Sequence, residues 1–291
     1  MAISTPTAPV GVSAAGQGHK RIGRISVNKI FLVLSYAWIV LVVLAALVPG
    51  LLTRGNPLDL DPDNVLLAPG AGGLLGTDQY GRSVLTLLIY GARTAIIIGL
   101  AATAIGLVIG TVIGLAAGYV GGVVDMVIGR VLDILMSFPG VLMALIITAA
   151  LGATTGNLIL AVGIAAIPQF ARVMRGQTIA VRSKLYIEAA RASGFSNRRI
   201  IFGHVLPNAV APIVVLATVT VGVSIVAAAS LSFLGLGPRS DIPDWGQLLA
   251  MGQPYLSAAW WISTFSGVAL TITVIAVSLI GDSVSDAMEK G

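Results

Sequence analysis

The sequence predicts an all-α, polytopic membrane protein with six spanning helices, and three observations predict it. Hydrophobic residues fill 56% of 291 positions against 10% charged, with a mean hydropathy of +0.97, where a soluble domain carries about 25% charged residues. Stretches free of Asp, Glu, Lys and Arg run over 30–53, 94–124, 134–171, 200–238 and 245–281. The third holds 38 residues, and as one helix it would reach about 57 Å against a hydrocarbon core of about 30 Å. It must therefore turn back at Gly152-Ala153-Thr154-Thr155-Gly156-Asn157, which makes six spans from five runs.

Taken in order, residues 1–28 read as a flexible basic tail: small and turn-forming to Gly18, then His19-Lys20-Arg21 leading to Lys29. The first span occupies 29–53, and its apolar run from Ile30 to Leu52 is too long for a signal-peptide core. Residues 54–92 form an external segment with turn chemistry at Asn56-Pro57, Asp61-Pro62 and Pro69 to Gly73, then a candidate interfacial helix over Gly81 to Arg93. Residues 93–281 make a five-helix core, with spans near 94–121, 130–151, 157–174, 209–231 and 261–281. A polar segment at 182–207 interrupts it, and 282–291 is a second tail.

Six spans put both termini on one side. Assigning that side to the cytoplasm places Lys20, Arg21, Arg24, Lys29, Arg130, Arg172, Arg175, Arg182, Lys184, Arg191, Arg198, Arg199 and Lys290 inside, 13 of the 17 basic residues. The outer segments keep Arg54, Arg82, Arg93 and Arg239 beside Asp59, Asp61, Asp63, Asp78, Asp241 and Asp244. The positive-inside rule selects this orientation and also accounts for the net charge of +5 without nucleic acid.

Several chemistries are excluded. There is no cysteine, so no disulfide, thiolate metal site or cysteine nucleophile, and His19 and His204 lie too far apart in sequence for a histidine-rich site. None of the four lysines follows a glycine, so a Walker A loop is missing and the chain does not hydrolyse ATP by that route. The apolar interiors of the spans hold no Asp, Glu, Lys or Arg, the groups that ion-coupled transporters use. An intramembrane hydrolase lacks Gly-x-Ser-x-Gly and a histidine within a span.

The most informative stretch is Lys184 to Asn208, KLYIEAARASGFSNRRIIFGHVLPN. It reads as helix, turn, helix: Leu185 to Ala192 are helix formers, Gly194 is placed for a left-handed turn, Ser196 can cap the next helix, and Pro207 restricts its continuation. A solvated loop and a DNA-binding helix-turn-helix are competing readings of such a pattern.

Glu188-Ala189-Ala190, three residues, Gly194, nine residues, His204, one residue, Leu206-Pro207 resembles the EAA loop of ABC-importer permeases, which usually have an aliphatic residue where His204 stands. Further blocks resemble the dipeptide and oligopeptide branch of that family: Leu75 to Arg82 through Ile89 to Arg93; Ala117 to Gly122 through Asp125, Arg130, Asp133 and Phe138-Pro139; Ser232 to Gly237; and Pro243-Asp244-Trp245-Gly246. At Ser285 the branch commonly has a basic residue, and any contact made by that base is missing here.

The resemblance implies a type I ABC-importer permease core in a bacterial cytoplasmic (inner) membrane, a non-catalytic transport subunit with both termini cytoplasmic. It implies a homologous second permease, two ATP-binding subunits that use ATP and Mg, and an external substrate-binding protein, with no cofactor or metal in this chain and no nucleic acid. The cargo it implies is peptide; nickel, glutathione and other small solutes stay open, and a channel or scaffold without ATP coupling is the remote alternative. Within the loop it implies that Glu188, Ala189, Ala190, Arg191, Gly194, Arg198, Arg199, His204, Leu206 and Pro207 dock on an ATP-binding subunit.

Other features allow two readings each. Gly106, Gly110, Gly114, Gly118 and Gly122 recur every four residues, a ridge for close helix approach, inside the chain or at the permease seam. Asp125, Arg130 and Asp133 mark the internal turn between the second and third spans, with Arg130 and Asp133 at pairing distance, and read as local pairing or as a contact with the ATPase; Phe138-Pro139 reads as a kinked helix start or a gate. Ser224, Ser230, Ser232, Ser263, Thr264, Ser266, Thr271, Thr273 and Ser278 are a path lining for peptide or interhelical hydrogen bonding. Trp245, Trp260 and Trp261 point to the outer headgroup region.

Overall fold

A computed structural model describes residues 22–290, with side chains described from Lys29 to Met288. The expected tail 1–18 and the cluster His19-Lys20-Arg21 lie outside the described residues. The described chain is helical, and five helices are long and apolar enough to cross a membrane: α1 (Ile22–Leu47), α2 (Val84–Val120), α5 (Thr155–Arg182), α9 (Ala211–Leu231) and α11 (Trp261–Lys290). Between α2 and α5, α3 (Gly122–Met136) and α4 (Gly140–Leu151) are together long and apolar enough for a sixth crossing, bent by 86° at their break.

Helix ends differ from the sequence expectation where nothing in the chain stops the turn. α1 starts at Ile22, inside the expected tail, and ends at Leu47 ahead of Pro49, which restricts Val48. The expected interfacial helix at Gly81–Arg93 is instead the beginning of α2. Ser83 caps it, its side chain accepting from the Thr86 amide, and no proline interrupts the next 37 residues. At about 1.5 Å per residue α2 spans about 55 Å, well beyond the apolar core. α11 likewise runs through the expected tail at 282–291 as far as Lys290.

The expected kinked start at Phe138-Pro139 is a full elbow, bent by 86°. Proline at position 139 has no amide to continue α3, the chain turns at Ser137–Pro139, and α4 begins at Gly140.

The two ends of the bundle differ in charge. The basic end holds the C-termini of α2 and α5 and the paired helices that follow; the acidic end holds the segment before α2 and the loop between α9 and α11. That loop carries α10 (Trp245–Gly252). Trp245 and Trp261 do not lie at an outer surface: both are buried, their indole N–H groups donating to Leu88 O at 2.9 Å and Thr77 O at 3.0 Å, and only Trp260 is half exposed. Asp78 and Arg82 form a buried ion pair, Arg82 Nε to Asp78 Oδ2 at 2.8 Å, and Arg82 also reaches Asp241 O. The positive φ of Gly81 and an Asp61 carbonyl only 1.8 Å from where a Cβ would stand admit glycine alone there.

Candidate functional site

α2 and α5 are the most closely packed pair in the chain, and glycine is the reason. A Cβ on Gly106 would meet Ala166 Cβ at 2.8 Å, on Gly110 Phe170 Cβ at 2.5 Å, on Gly114 Ala171 O at 2.3 Å, and on Gly118 Thr178 Cβ at 2.7 Å. Four expected ridge positions therefore face α5 of the same chain, not a second subunit. Gly122 is not on the ridge: it has φ +57°, opens α3, and a Cβ there would meet nothing within 4 Å. Small residues give backbone approach in lipid, where no hydrophobic drive separates helix faces from solvent tails.

α5 leaves this seam at the basic end and leads directly into α6 (Leu185–Ala192), a turn, and α7 (Asn197–Ile200). Gly194 makes the turn with φ +77°, and Ser196 caps α7 through the Arg199 amide. The helix continues through a widened π segment, Ile201–Val205, to α8 (Leu206–Ala209). That widening explains how Pro207 is accommodated inside a helix where the sequence suggested a stop: a proline ring clashes with the carbonyl four residues earlier in an α-helix.

The paired helix has two faces. Ile187, Ala190, Ile200 and Val205 are buried in one cluster with Phe170, Met174 and Val181 of α5. Leu185 is 82% exposed and Phe202 66%, and Tyr186, Glu188, Ala189, Arg191, Arg198 and Arg199 are also exposed. Apolar groups of that size left uncovered beside a mixed ionic rim are the composition of a docking surface. His204 is half-buried and stacks on Phe195, centroids 6.1 Å apart at 9°, while Arg199 lies 4.1 Å from the Phe195 centroid. Leu206 is partly buried; Pro207 is exposed.

Four contacts that the sequence did not reveal tie the end of α5 and the hairpin to α2. Arg182 Nη1 donates to Gly118 O at 3.1 Å and Tyr119 O at 2.6 Å, satisfying carbonyls at the end of α2. Tyr119 Oη donates to Asn197 Oδ1 at 2.8 Å, and the Arg191 guanidinium lies 5.8 Å from the Tyr119 ring centroid.

α3 is attached differently. Of its 15 residues only Leu132 is buried. Two ion pairs seat it on α5: Asp125 with Arg175, including Arg175 Nη2 to Asp125 Oδ2 at 2.7 Å, and Asp133 with Arg172. The expected Arg130–Asp133 pair does not form. A detectable signal was present, since Asp125 and Asp133 lie eight residues apart on one broad helical face and Arg172 and Arg175 three apart on another.

The hydroxyl path is also corrected. Ser224, Ser266 and Thr273 are buried: Ser224 bonds Thr103, Ser266 donates to Ile262 O, and Thr273 donates to Ala269 O while accepting from the Trp38 indole at 2.9 Å. Ser230 bonds back to Val226 O, Ser232 donates to Asp244 Oδ2, and Thr271 is exposed. The buried hydroxyls of Ser224, Ser232, Ser266 and Thr273 join helices or close on backbone rather than face a passage, whereas Thr271 is open and Ser230 partly so.

Asp244 caps α10, accepting from the Gly246 and Gln247 amides. Burial pushes its carboxyl above the usual range, against those amides and the Ser232 hydroxyl, which pull it down.

Residues 110–291 match the family described as binding-protein-dependent transport system inner membrane component. The chain is 38% identical to the dipeptide transport system permease protein of Alkalihalophilus pseudofirmus, covering 85% of this chain and 81% of that one. It is 37% identical to a putative peptide transport system permease protein of Brucella suis, over 86% and 84%. With the glutathione transport system permease protein of Escherichia coli the identity is 39%, over 79% and 76%. An inward-facing structure of the MetNI methionine ABC transporter shares the fold at 20% identity, with a TM-score of 0.58 over 69% of this chain and 95% of that one.

Proposed function

We infer the function of this chain from the family to which it belongs, the inner membrane components of binding-protein-dependent transport systems: it is a non-catalytic permease subunit of an ATP-driven importer. Its cargo is di- and oligopeptides, carried along a path formed with a homologous second permease and delivered by an external binding protein. The basic end faces the cytoplasm with both termini, following the split of basic residues. Two ATP-binding subunits, using ATP and Mg, dock on the paired helix from Glu188 to Pro207.

The observation that carries this reading is the hairpin with one face in the core and the other bare. Ile187, Ala190, Ile200 and Val205 anchor it to α5, while Leu185, Tyr186, Phe202 and the arginines stand outward. Force applied there passes into α5 without an intervening flexible loop, and the glycine seam makes α2 follow. Glutathione, itself a peptide, is the alternative cargo, favoured by the 39% identical relative that carries it.

Gly194→Val tests the coupling. A Cβ at Gly194 meets nothing within 4 Å, so the cost is confined to a backbone conformation that β-branched residues avoid. The variant is expected to insert and assemble but to lose most cargo-stimulated ATP hydrolysis and transport in the reconstituted complex. Wild-type coupling in this variant would remove the hairpin as the transmitting element.

A further inference from the structure

At the acidic end, the α4–α5 turn and the loop after α9 border an open cleft of about 540 Å³ lined by Thr154, Thr155, Arg239 and Ser240, with Gly152 and Pro238, the Arg239 and Ser240 side chains being exposed. Both walls are pinned. Asn157 Nδ2 donates to Leu151 O at 2.7 Å and Gly152 O at 3.0 Å, and the Thr154 hydroxyl accepts from the Asn157 amide. Across the cleft, Gln247 Nε2 donates to Pro238 O at 2.6 Å and Arg82 Nη1 to Asp241 O at 3.3 Å. Arg239 is thus displayed between two fixed carbonyls.

Its charge is uncommitted. Of the four arginines outside the basic end, Arg82 pairs with Asp78, but among the described residues no carboxylate lies within 4.0 Å of Arg239. The Ser240 hydroxyl accepts from the Ile242 amide and keeps its proton to donate, and the Thr155 hydroxyl is also available. One guanidinium with hydroxyl donors, in a concave pre-formed site, fits a group that only accepts hydrogen bonds, and a carboxylate takes an arginine fork bidentately.

We propose that this cleft receives the C-terminal carboxylate of the peptide cargo as it enters from the acidic end. The site rests on the peptide reading above, because every linear peptide with a free end carries that group whatever its side chains. It would orient cargo without discriminating among sequences, which suits a permease whose selectivity resides in a separate binding protein. The competing carboxylate is an acidic side chain on that protein.

The test uses the whole complex in nanodiscs or liposomes with its binding protein and trialanine as the probe. Arg239→Gln is expected to lower the maximal uptake rate roughly tenfold or more, the loss of one charge-assisted hydrogen bond, with the affinity of the empty binding protein for the complex unchanged. Arg239→Lys should recover part of the rate, since charge returns without the fork. Unchanged uptake in Arg239→Gln overturns the site. A parallel fall in uptake and docking also overturns it, by assigning the arginine to the binding protein. A wild-type complex that imports no member of a di- to pentapeptide pool overturns the peptide reading, and the site with it.

Discussion

The α2–α5 seam and the α3–α4 elbow are both apolar helix pairs crossing the same bilayer, and different forces hold them. In the seam, four glycines bring backbones together so closely that an added methyl group at Gly114 would stand 2.3 Å from a carbonyl oxygen. In the elbow, α3 buries one residue and depends on Asp125–Arg175 and Asp133–Arg172. Packing of the first kind has no graded alternative, because a filled contact either fits or does not. Ion pairs near a surface can exchange partners at small cost. The chain therefore reads as a stiff frame, α2 with α5 and its hairpin, beside an element that can shift.

The largest effect should come from filling the seam. Gly114→Val is expected to destabilise by about 3 kcal/mol or more, the upper range for overpacking, because the clash is with backbone. It should appear as lost assembled complex or a depressed Tm. Val112→Leu, on an exposed position of the same helix, is the matched control and should change neither.

A smaller effect sharpens the other half of the comparison. Asp125→Arg or Arg175→Asp should each lower transport severalfold while costing only about 1 kcal/mol of stability, as expected of a partly exposed pair. The double exchange should restore much of the rate. Failure of that rescue would show that the pair does not seat α3. Asp133→Asn, on the more exposed pair, should cost about 0.5 kcal/mol or less.

The smallest effect concerns the loop between α9 and α11. Burial raises the Asp244 carboxyl above its unfolded value, so its favourable share of stability is complete at low pH and fades as pH rises through the folded pKa. Asn can still cap α10 but does not ionise. The Tm of Asp244→Asn relative to wild type should therefore climb between pH 4 and 8; a difference that stays flat or falls would contradict the buried assignment.

What the sequence disclosed follows the same division. The hairpin was legible because its signals are local: Gly194, Ser196 and the alternation of apolar and charged residues act within one or two turns. The ridge was legible as a spacing, but its partner was not, since glycine records closeness without naming what is close. Trp245 and Trp261 misled because an indole at headgroup depth and one bonded to a buried carbonyl look alike in sequence. The hydroxyls of Ser224, Ser266 and Thr273 left two readings open, because a hydroxyl bonded across to another helix or back to its own backbone has the same sequence signature as one facing a passage. Pro139 did signal a break, but an 86° bend depends on how the following helix packs.

The central claim is that α2, α5 and the hairpin move as one body while α3 shifts against them. The chain contains no cysteine, so spin labels can be placed at exposed Val112, Val127 and Ile179, and at exposed Asn208, just past the docking face. Pulsed dipolar distances in the assembled transporter, nucleotide-free and ATP-trapped, test it most directly. The 112–179 and 112–208 distances should stay constant between the two states, and the 127–179 distance should change by several ångströms, on the order of one helical turn at most. A changing 112–179 distance with 127–179 fixed would contradict the account.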